Sequence, residues 1–322
     1  MRRREFLAGF GAAAGSPVCL RAQSARTSRI LWLSTASDPD PLLDSFRDGL
    51  RSQGLVEGRH VVLDIRYAPG NPAGLQPALA ELARGGFDLV VSRGAQAIQA
   101  TRLIKDSPVL FAISGDPVEL GIAKNLARPG GNFTGATFLS LDLAGKRVEL
   151  CKELLPDLRT LAVLSNTNHP GEGSEWRVTQ EAARSLNVHP AYVPFAGQGE
   201  LDRALAGLRD VGADAVLVFP DGVTFTHRVQ IAQSALVNRL PSMFGWRDYC
   251  EAGGLVSYGP DQHATYYWLA SYAARVLRGE KPADLPIEQP SRFELTVNLK
   301  TAAALRLTIS PGILIRADKV IE

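Results

Sequence analysis

The stretch DLVVSRGAQAIQATRLIKDSPVLFAIS, residues 88–114, decides how the chain folds. Asp88–Ser92 is a short apolar run, Ala95–Lys105 carries helical periodicity, and Val109–Ser114 is apolar again. Strand, helix and strand at this spacing make one βαβ unit, whose two strands must run parallel. The same alternation extends outward in both directions. Further strand candidates are Ile30–Ser34, His60–Tyr67, Asn132–Phe138, Thr160–Ser165, His189–Phe195, Ala213–Phe219, Ser242–Phe244, Leu255–Tyr258 and Phe293–Asn298. Between them lie helix candidates Pro41–Gln53, Pro72–Arg84, Leu141–Leu155, Ser174–Leu186, Glu200–Val211, Thr224–Asn238 and Asp261–Arg278. Runs such as Leu161–Leu164 and Ala215–Phe219 are apolar throughout, as strands are when helices cover both faces of a sheet.

Eleven strands strain a single open sheet, and a chain of 322 residues tends to divide its core. Arg128-Pro129-Gly130-Gly131-Asn132 marks a break near the middle, and Lys281–Pro290 is an extended, proline-punctuated connection that cannot be helix. The fold expected is α/β, with two lobes built on parallel sheets.

The charge is unevenly placed. Residues 1–22 hold Arg2, Arg3, Arg4 and Arg21 against Glu5. The remaining 300 residues carry 31 basic and 32 acidic side chains, so the body is close to neutral. It lacks the basic excess that a nucleic-acid binder needs, and no nucleic-acid partner is expected. The N-terminus reads as a signal peptide: an arginine-rich start, an Ala/Gly-rich apolar run from Phe6 to Leu20, and a cut after Ala22. Arg3-Arg4-Glu5-Phe6-Leu7 is similar to the twin-arginine export motif. The apolar run contains Gly9, Gly11, Gly15 and Pro17 and is too short for a permanent membrane anchor. Cys151 and Cys250 remain after cleavage and are expected to stay unpaired.

Apolar strands end in Ser34, Ser92, Ser114 and Ser165, and another ends in Pro220-Asp221. Ligands of open α/β sheets bind outside the carboxyl ends of the strands, so these positions are candidate contacts. Each serine alone also serves as a helix cap. Ser114-Gly115-Asp116-Pro117-Val118-Glu119 reads as a tight turn into a helix capped by Asp116, whose carboxylate is equally suited to an ammonium group. Trp246-Arg247 after a strand offers an aromatic face and a charge fork for a planar or carboxylated ligand. Tyr266, Tyr267, Trp268 and Tyr272 fall on one helix and are expected in the core. The five histidines are scattered, and no nucleophile elbow, phosphate loop, dinucleotide fingerprint or zinc spacing occurs, so no cofactor and no metal are expected.

Several motifs in order carry a resemblance. They are Gly115-Asp116-Pro117-Val118-Glu119-Leu120-Gly121, the 128–135 stretch ending Phe133-Thr134-Gly135, Trp246-Arg247, Glu251-Ala252-Gly253-Gly254-Leu255 with Ser257-Tyr258-Gly259, and 293–302, FELTVNLKTA. Together with the exported N-terminus they resemble the ABC-transporter substrate-binding proteins, in the branch that includes tryptophan- and tyrosine-type binding proteins. The resemblance implies a type I periplasmic-binding fold, two Rossmann-like lobes joined by three hinge strands. It places one lobe at 29–138 plus about 258–282 and the other at about 139–257 plus 283–322. It implies cleft roles for Ser34, Thr35, Ser92, Arg93, Gly94, Ser114, Gly115, Asp116, the hinge pair Thr137-Phe138, Asn166, Asn168, Asp221 and Trp246. It further implies a small-molecule solute, delivery to an ABC permease in the inner membrane, a periplasmic location and a monomeric state. Arg93 also suits a carboxylate or other anion. Two other functions fit the same residues: an exported α/β enzyme with an unmarked triad, and a periplasmic ligand sensor.

Overall fold

The computed structural model describes residues 27–36, 38–68, 72–102 and 104–322. The expected signal peptide and its cut lie outside the described residues. The first lobe is built on five parallel strands: β1 (Ser28–Ser34), β2 (Val61–Tyr67), β3 (Leu89–Arg93), β4 (Val109–Ile113) and β5 (Phe133–Thr137), in the order β2-β1-β3-β4-β5. Helices α1 (Pro41–Ser52), α2 (Gln76–Ala83) and α3 (Ala95–Thr101) connect them. Every residue of β3, β4 and β5 is buried, as expected for strands covered on both faces.

The second lobe holds β6 (Thr160–Asn166), β7 (His189–Phe195), β8 (Ala215–Val218), β9 (Ser242–Phe244), β10 (Val256–Gly259), β11 (Glu294–Asn298) and β12 (Lys319–Ile321), ordered β12-β11-β10-β9-β8-β6-β7. Only the β10–β11 pairing is antiparallel. Its helices are α4 (Ser140–Leu154), α5 (Glu172–Ser185), α6 (Gln198–Gly207), α7 (Gly222–Thr226), α8 (Arg228–Val237), α9 (Arg247–Glu251), α11 (Leu299–Leu305) and α12 (Pro311–Arg316).

Helix α10 (Gln262–Leu277) follows β10 of the second lobe yet packs against α1 of the first. Gly49 makes this packing close: a Cβ there would stand 2.1 Å from the Tyr267 carbonyl oxygen. Tyr266 tilts against Trp32 of β1, ring centroids 5.6 Å apart. The chain crosses between lobes after β5, after β10 and before β11. On the third passage Leu285 and Ile287 are buried and Glu288 pairs with β5, its N–H donating to the Gly135 carbonyl at 2.8 Å. The chain therefore stays beside the first sheet past residue 283, where the second lobe was expected to begin.

Other differences are local. The expected helix 224–238 is divided at His227 into α7 and α8. Asp116–Glu119 makes a turn instead of starting a helix, with the Asp116 carboxylate accepting from the Val118 and Glu119 N–H groups. Tyr266 and Tyr272 are core residues, but Tyr267 is 47% exposed because it points away from the α1 contact. Strand β12 went unanticipated; Lys319-Val320-Ile321 is too short a run to signal a strand. Cys151 and Cys250 are free and buried. No helix of the described residues is long and apolar enough to cross a membrane.

Candidate functional site

Strand ends from the two lobes face each other across one cleft. Its inner chamber is lined from the first lobe by Thr35, Arg93, Gly94, Ala95, Ser114 and Tyr266, among others. The second lobe contributes Gly222, Phe225 and Trp246, and Phe138 and Gln262 line it from the hinge side. A small adjoining cavity is lined by Asn166, His169, Asp221 and Val223, and shares Thr35, Ala95 and Gly222 with the first.

The lobes meet backbone to backbone. A Cβ on Gly222 would lie 3.3 Å from Thr35 Oγ1 and 3.8 Å from Gly94 Cα. A Cβ on Gly171 would lie 3.2 Å from Gly115 Cα. Gly94 also has φ 89°, the left-handed region that glycine enters freely, and this turns β3 sharply into α3. Two glycine contacts thus seam the cleft, and the structure is the closed form.

Polar groups tie the seam. Ser114 Oγ lies 2.6 Å from His169 Nε2, both side chains buried. The Gly171 N–H donates to His169 Nδ1 at 3.1 Å, so the ring proton sits on Nε2 and donates to Ser114. Burial pushes the imidazole down to about 4, which keeps it neutral. The pair has the residues of a nucleophile and its base, but the wrong proton. His169 Nε2 has no lone pair to take the Ser114 hydroxyl hydrogen, and Nδ1 meets an amide donor where a triad carboxylate would stand. The Ser114 O–H is left free to donate into the chamber.

Asp221 caps α7, accepting from the Thr224 N–H at 2.8 Å in a capping box. Burial pushes its carboxyl up to about 6, against the pull of Thr224, Asn166 and the Val223 N–H. Arg93 is buried; its Nη1 donates to Asp40 Oδ2 at 3.3 Å and its guanidinium lies 5.1 Å from the Phe225 ring centre. Its charge is partly met by Asp40 and its planar face extends the aromatic wall. Trp246 meets Phe138 and Phe225 edge-on, at 5.5 and 5.9 Å.

A second interlobe link lies outside the chamber. His263, on the first turn of α10, holds Ser45 of α1 through Nδ1 and Asp248 of α9 through Nε2, each at 2.9 Å. The Asp248 hydrogen bond and charge hold the imidazole above its ordinary value despite burial. Burial opposes ionisation of Asp248, but the His263 hydrogen bond wins and holds that carboxyl low.

Of the residues expected in the cleft, Thr35, Arg93, Gly94, Ser114, Phe138 and Trp246 line the chamber, and Asn166 and Asp221 the adjoining cavity. Ser34 and Ser92 are buried behind the wall; Ser34 Oγ accepts from the Ala36 N–H, and Gly115 belongs to the seam. Asp116, Thr137 and Asn168 line neither cavity. Asp116 is engaged by its own turn, Thr137 faces the outer side of the hinge, and the Asn168 N–H is held by Asn166 Oδ1. Arg247 does not face the ligand space either, since its guanidinium binds Asp261 at 2.8 Å and Glu294 at 3.4 Å. Sequence reasoning missed His169, Gly222, Phe225 and Gln262. The strand-end rule that found Ser114 would have reached His169, three residues beyond Asn166.

Among the described residues no group of three His, Cys, Asp or Glu side chains could hold a metal ion. A family profile described as ABC transporter substrate binding protein matches residues 39–321. The chain is 26% identical over 272 residues to a tyrosine-binding protein of Clostridioides difficile, covering 82% of this chain and 77% of that one. It superposes with TM-score 0.84 and 26% identity on the crystal structure of an ABC domain in complex with L-Trp from Streptococcus pneumoniae, over 92% of this chain and all of that one. A leucine-binding protein from Thermotoga maritima, 11% identical, shares the fold with TM-score 0.54 over 72% of this chain and 69% of that one.

Proposed function

The chain belongs to the ABC transporter substrate-binding protein family, and on that premise we propose that it is the exported, periplasmic solute-binding component of an importer. It captures a small molecule in the interlobe cleft by hinge closure and delivers it to an inner-membrane permease, acting as a monomer. The supporting observation is that the chamber has no complete wall in either lobe. Thr35 and Ser114 come from one lobe and Gly222 and Trp246 from the other, so a solute enters only when the lobes part. A solute that contacts both walls binds the closed form better and shifts the population towards it.

The solute class that fits is an amino acid or a small carboxylate. Asp221 with Asn166 suits an ammonium group. The Ser114 hydroxyl suits a carboxylate oxygen, and Phe138, Phe225 and Trp246 flank a planar body.

The test is a thermal-shift screen of the purified protein against amino acids, small carboxylates, sugars, purines and aromatic acids, with calorimetry on the hits. A solute at 100 times its dissociation constant stabilises by about 2.7 kcal/mol, enough to raise the midpoint by several degrees. A hit recovered unchanged after incubation supports capture. A hit that is consumed supports an enzyme, and hits confined to sugars would end the amino-acid reading.

A further inference from the structure

Two buried hydrogen-bond donors in the chamber wall have no acceptor. Trp246 Nε1 and Gln262 Nε2 are each without a partner, and both residues are 4% exposed and line the chamber. A buried donor left unpaired costs stability, so a protein that keeps one at the wall of an interlobe chamber has a use for it there. The indole N–H only donates. Trp246 is fixed in orientation by three rings, Phe138, Phe225 and Tyr249, so its N–H cannot easily turn to a protein partner. Gln262 is fixed by its place on the first turn of α10, directly after the Asp261 cap.

The chemistry of the remaining wall sharpens this. The charged and hydroxyl groups suited to ligand termini, Ser114, Asp221 and Asn166, lie at the ends of β4, β8 and β6. Trp246 instead belongs to the aromatic wall, with Phe138 and Phe225 as its neighbours. Its donor is therefore embedded where the body of a solute lies.

We infer that the solute carries a hydrogen-bond acceptor on its planar body, besides its charged termini, and that Trp246 and Gln262 select for it. The inference rests on the solute-binding reading given above. A ring bearing a hydroxyl or carbonyl oxygen satisfies the wall. An unsubstituted ring leaves both donors desolvated and unpaired, and an indole brings a further donor to donors. Trp246 and Gln262 are thus specificity residues.

The experiment uses matched probes that differ by one oxygen: L-tyrosine against L-phenylalanine, and 4-hydroxyphenylacetate against phenylacetate. Each is titrated calorimetrically into the whole protein and into the W246F and Q262M variants, with thermal unfolding as the check on folding. The oxygen-bearing member is expected to bind at least about tenfold tighter in a pair that binds. In both variants the ratio of affinities within each pair falls towards one, whatever the change in affinity for the unsubstituted partner. Q262M replaces one side chain at the start of α10 by an apolar one of similar size, so it keeps the test open should W246F unfold. Equal affinity within each pair overturns the inference and leaves solute capture intact. So does discovery, in the broad screen, of a tight solute with no acceptor beyond its termini. Absence of binding by every compound in both screens overturns the capture reading and this inference with it.

Discussion

Ser114 Oγ and His169 Nε2, 2.6 Å apart, belong to different lobes and are brought together only by closure. The imidazole is neutral in that bond, and burial holds it at about 4. In the open form it returns to water and to an ordinary value near 6.5. The closed-state value is the lower one, so closure releases a proton. The contribution is fully present above pH 6.5 and is lost as the pH falls towards 4. Affinity at pH 5 is expected to be about thirtyfold below that at pH 7.5, and His169→Gln, which keeps a donor for Ser114, should flatten the curve. Asp221, at about 6, adds to the acid loss for a solute bearing an ammonium and opposes it for one without. Calorimetry of wild type and variant from pH 4.5 to 8 checks the assignment; an unchanged profile in the variant would reject it.

The His263 link has the opposite sign. Its imidazole is held above the ordinary value by Asp248, so its contribution is complete below pH 6.5 and disappears as the pH rises through the raised value. Arg247 opposes the charge on His263, Asp261 favours it, and Arg228 helps hold Asp248 ionised. His263→Ala is expected to weaken solute affinity by roughly fivefold at pH 6, the worth of about 1 kcal/mol of hydrogen bonding, and by less at pH 9. Small-angle scattering with saturating solute would then report a more open average shape at pH 6. Identical shapes for variant and wild type would show that this link does not bear on closure.

The glycine seam predicts variants that fold but fail to close. Gly171 and Gly222 have backbone conformations open to any residue; a Cβ at Gly222 meets only the other lobe, while one at Gly171 meets Gly115 of the other lobe and His169 of its own, each at 3.2 Å. Gly171→Val and Gly222→Val should each lower solute affinity by at least about tenfold; the unfolding midpoint of the free protein should be nearly unchanged for Gly222→Val and somewhat lowered for Gly171→Val by its His169 contact. Gly173→Val is the control, because a Cβ at Gly173 has nothing within 4 Å. Normal affinity in the two seam variants would mean that the lobes approach each other differently in solution.

Burial pushes the Cys151 and Cys250 thiols up to about 12. Neither should react with a thiol reagent at pH 8 in the folded protein, and both should react within minutes in denaturant. Fast native labelling of either would contradict the packing around β11 and α4.

The architecture was legible because the apolar runs and helical periods were long and regular, as in Val109–Ile113 and α10. The site was legible where it followed from strand ends, as at Thr35, Ser114 and Asp221. Residues that reach the chamber by another route gave no local signal. Gln262 arrives on a helix that leaves one lobe to pack on the other. His169 looks like a turn residue before a proline until closure sets it against β4. Arg247 was misread because its partners, Asp261 and Glu294, are 14 and 47 residues away. Asp116 looked like a ligand because a turn and a binding site use the same residue types.

The return of α10 to the first lobe also governs the order of assembly. Trp32 and Phe46 lie under this helix, and Gly49 is shaped to receive it, yet α10 ends at residue 277. Until that point leaves the ribosome, the earlier half of the chain has an uncovered apolar face and no complete core. A nascent chain truncated before Gln262 should therefore be digested readily by protease, whereas one extended past Glu288 should resist. Folding is postponed until synthesis is nearly finished, so the earlier part of the polypeptide leaves the ribosome unfolded and depends on residues beyond 261 to complete its core.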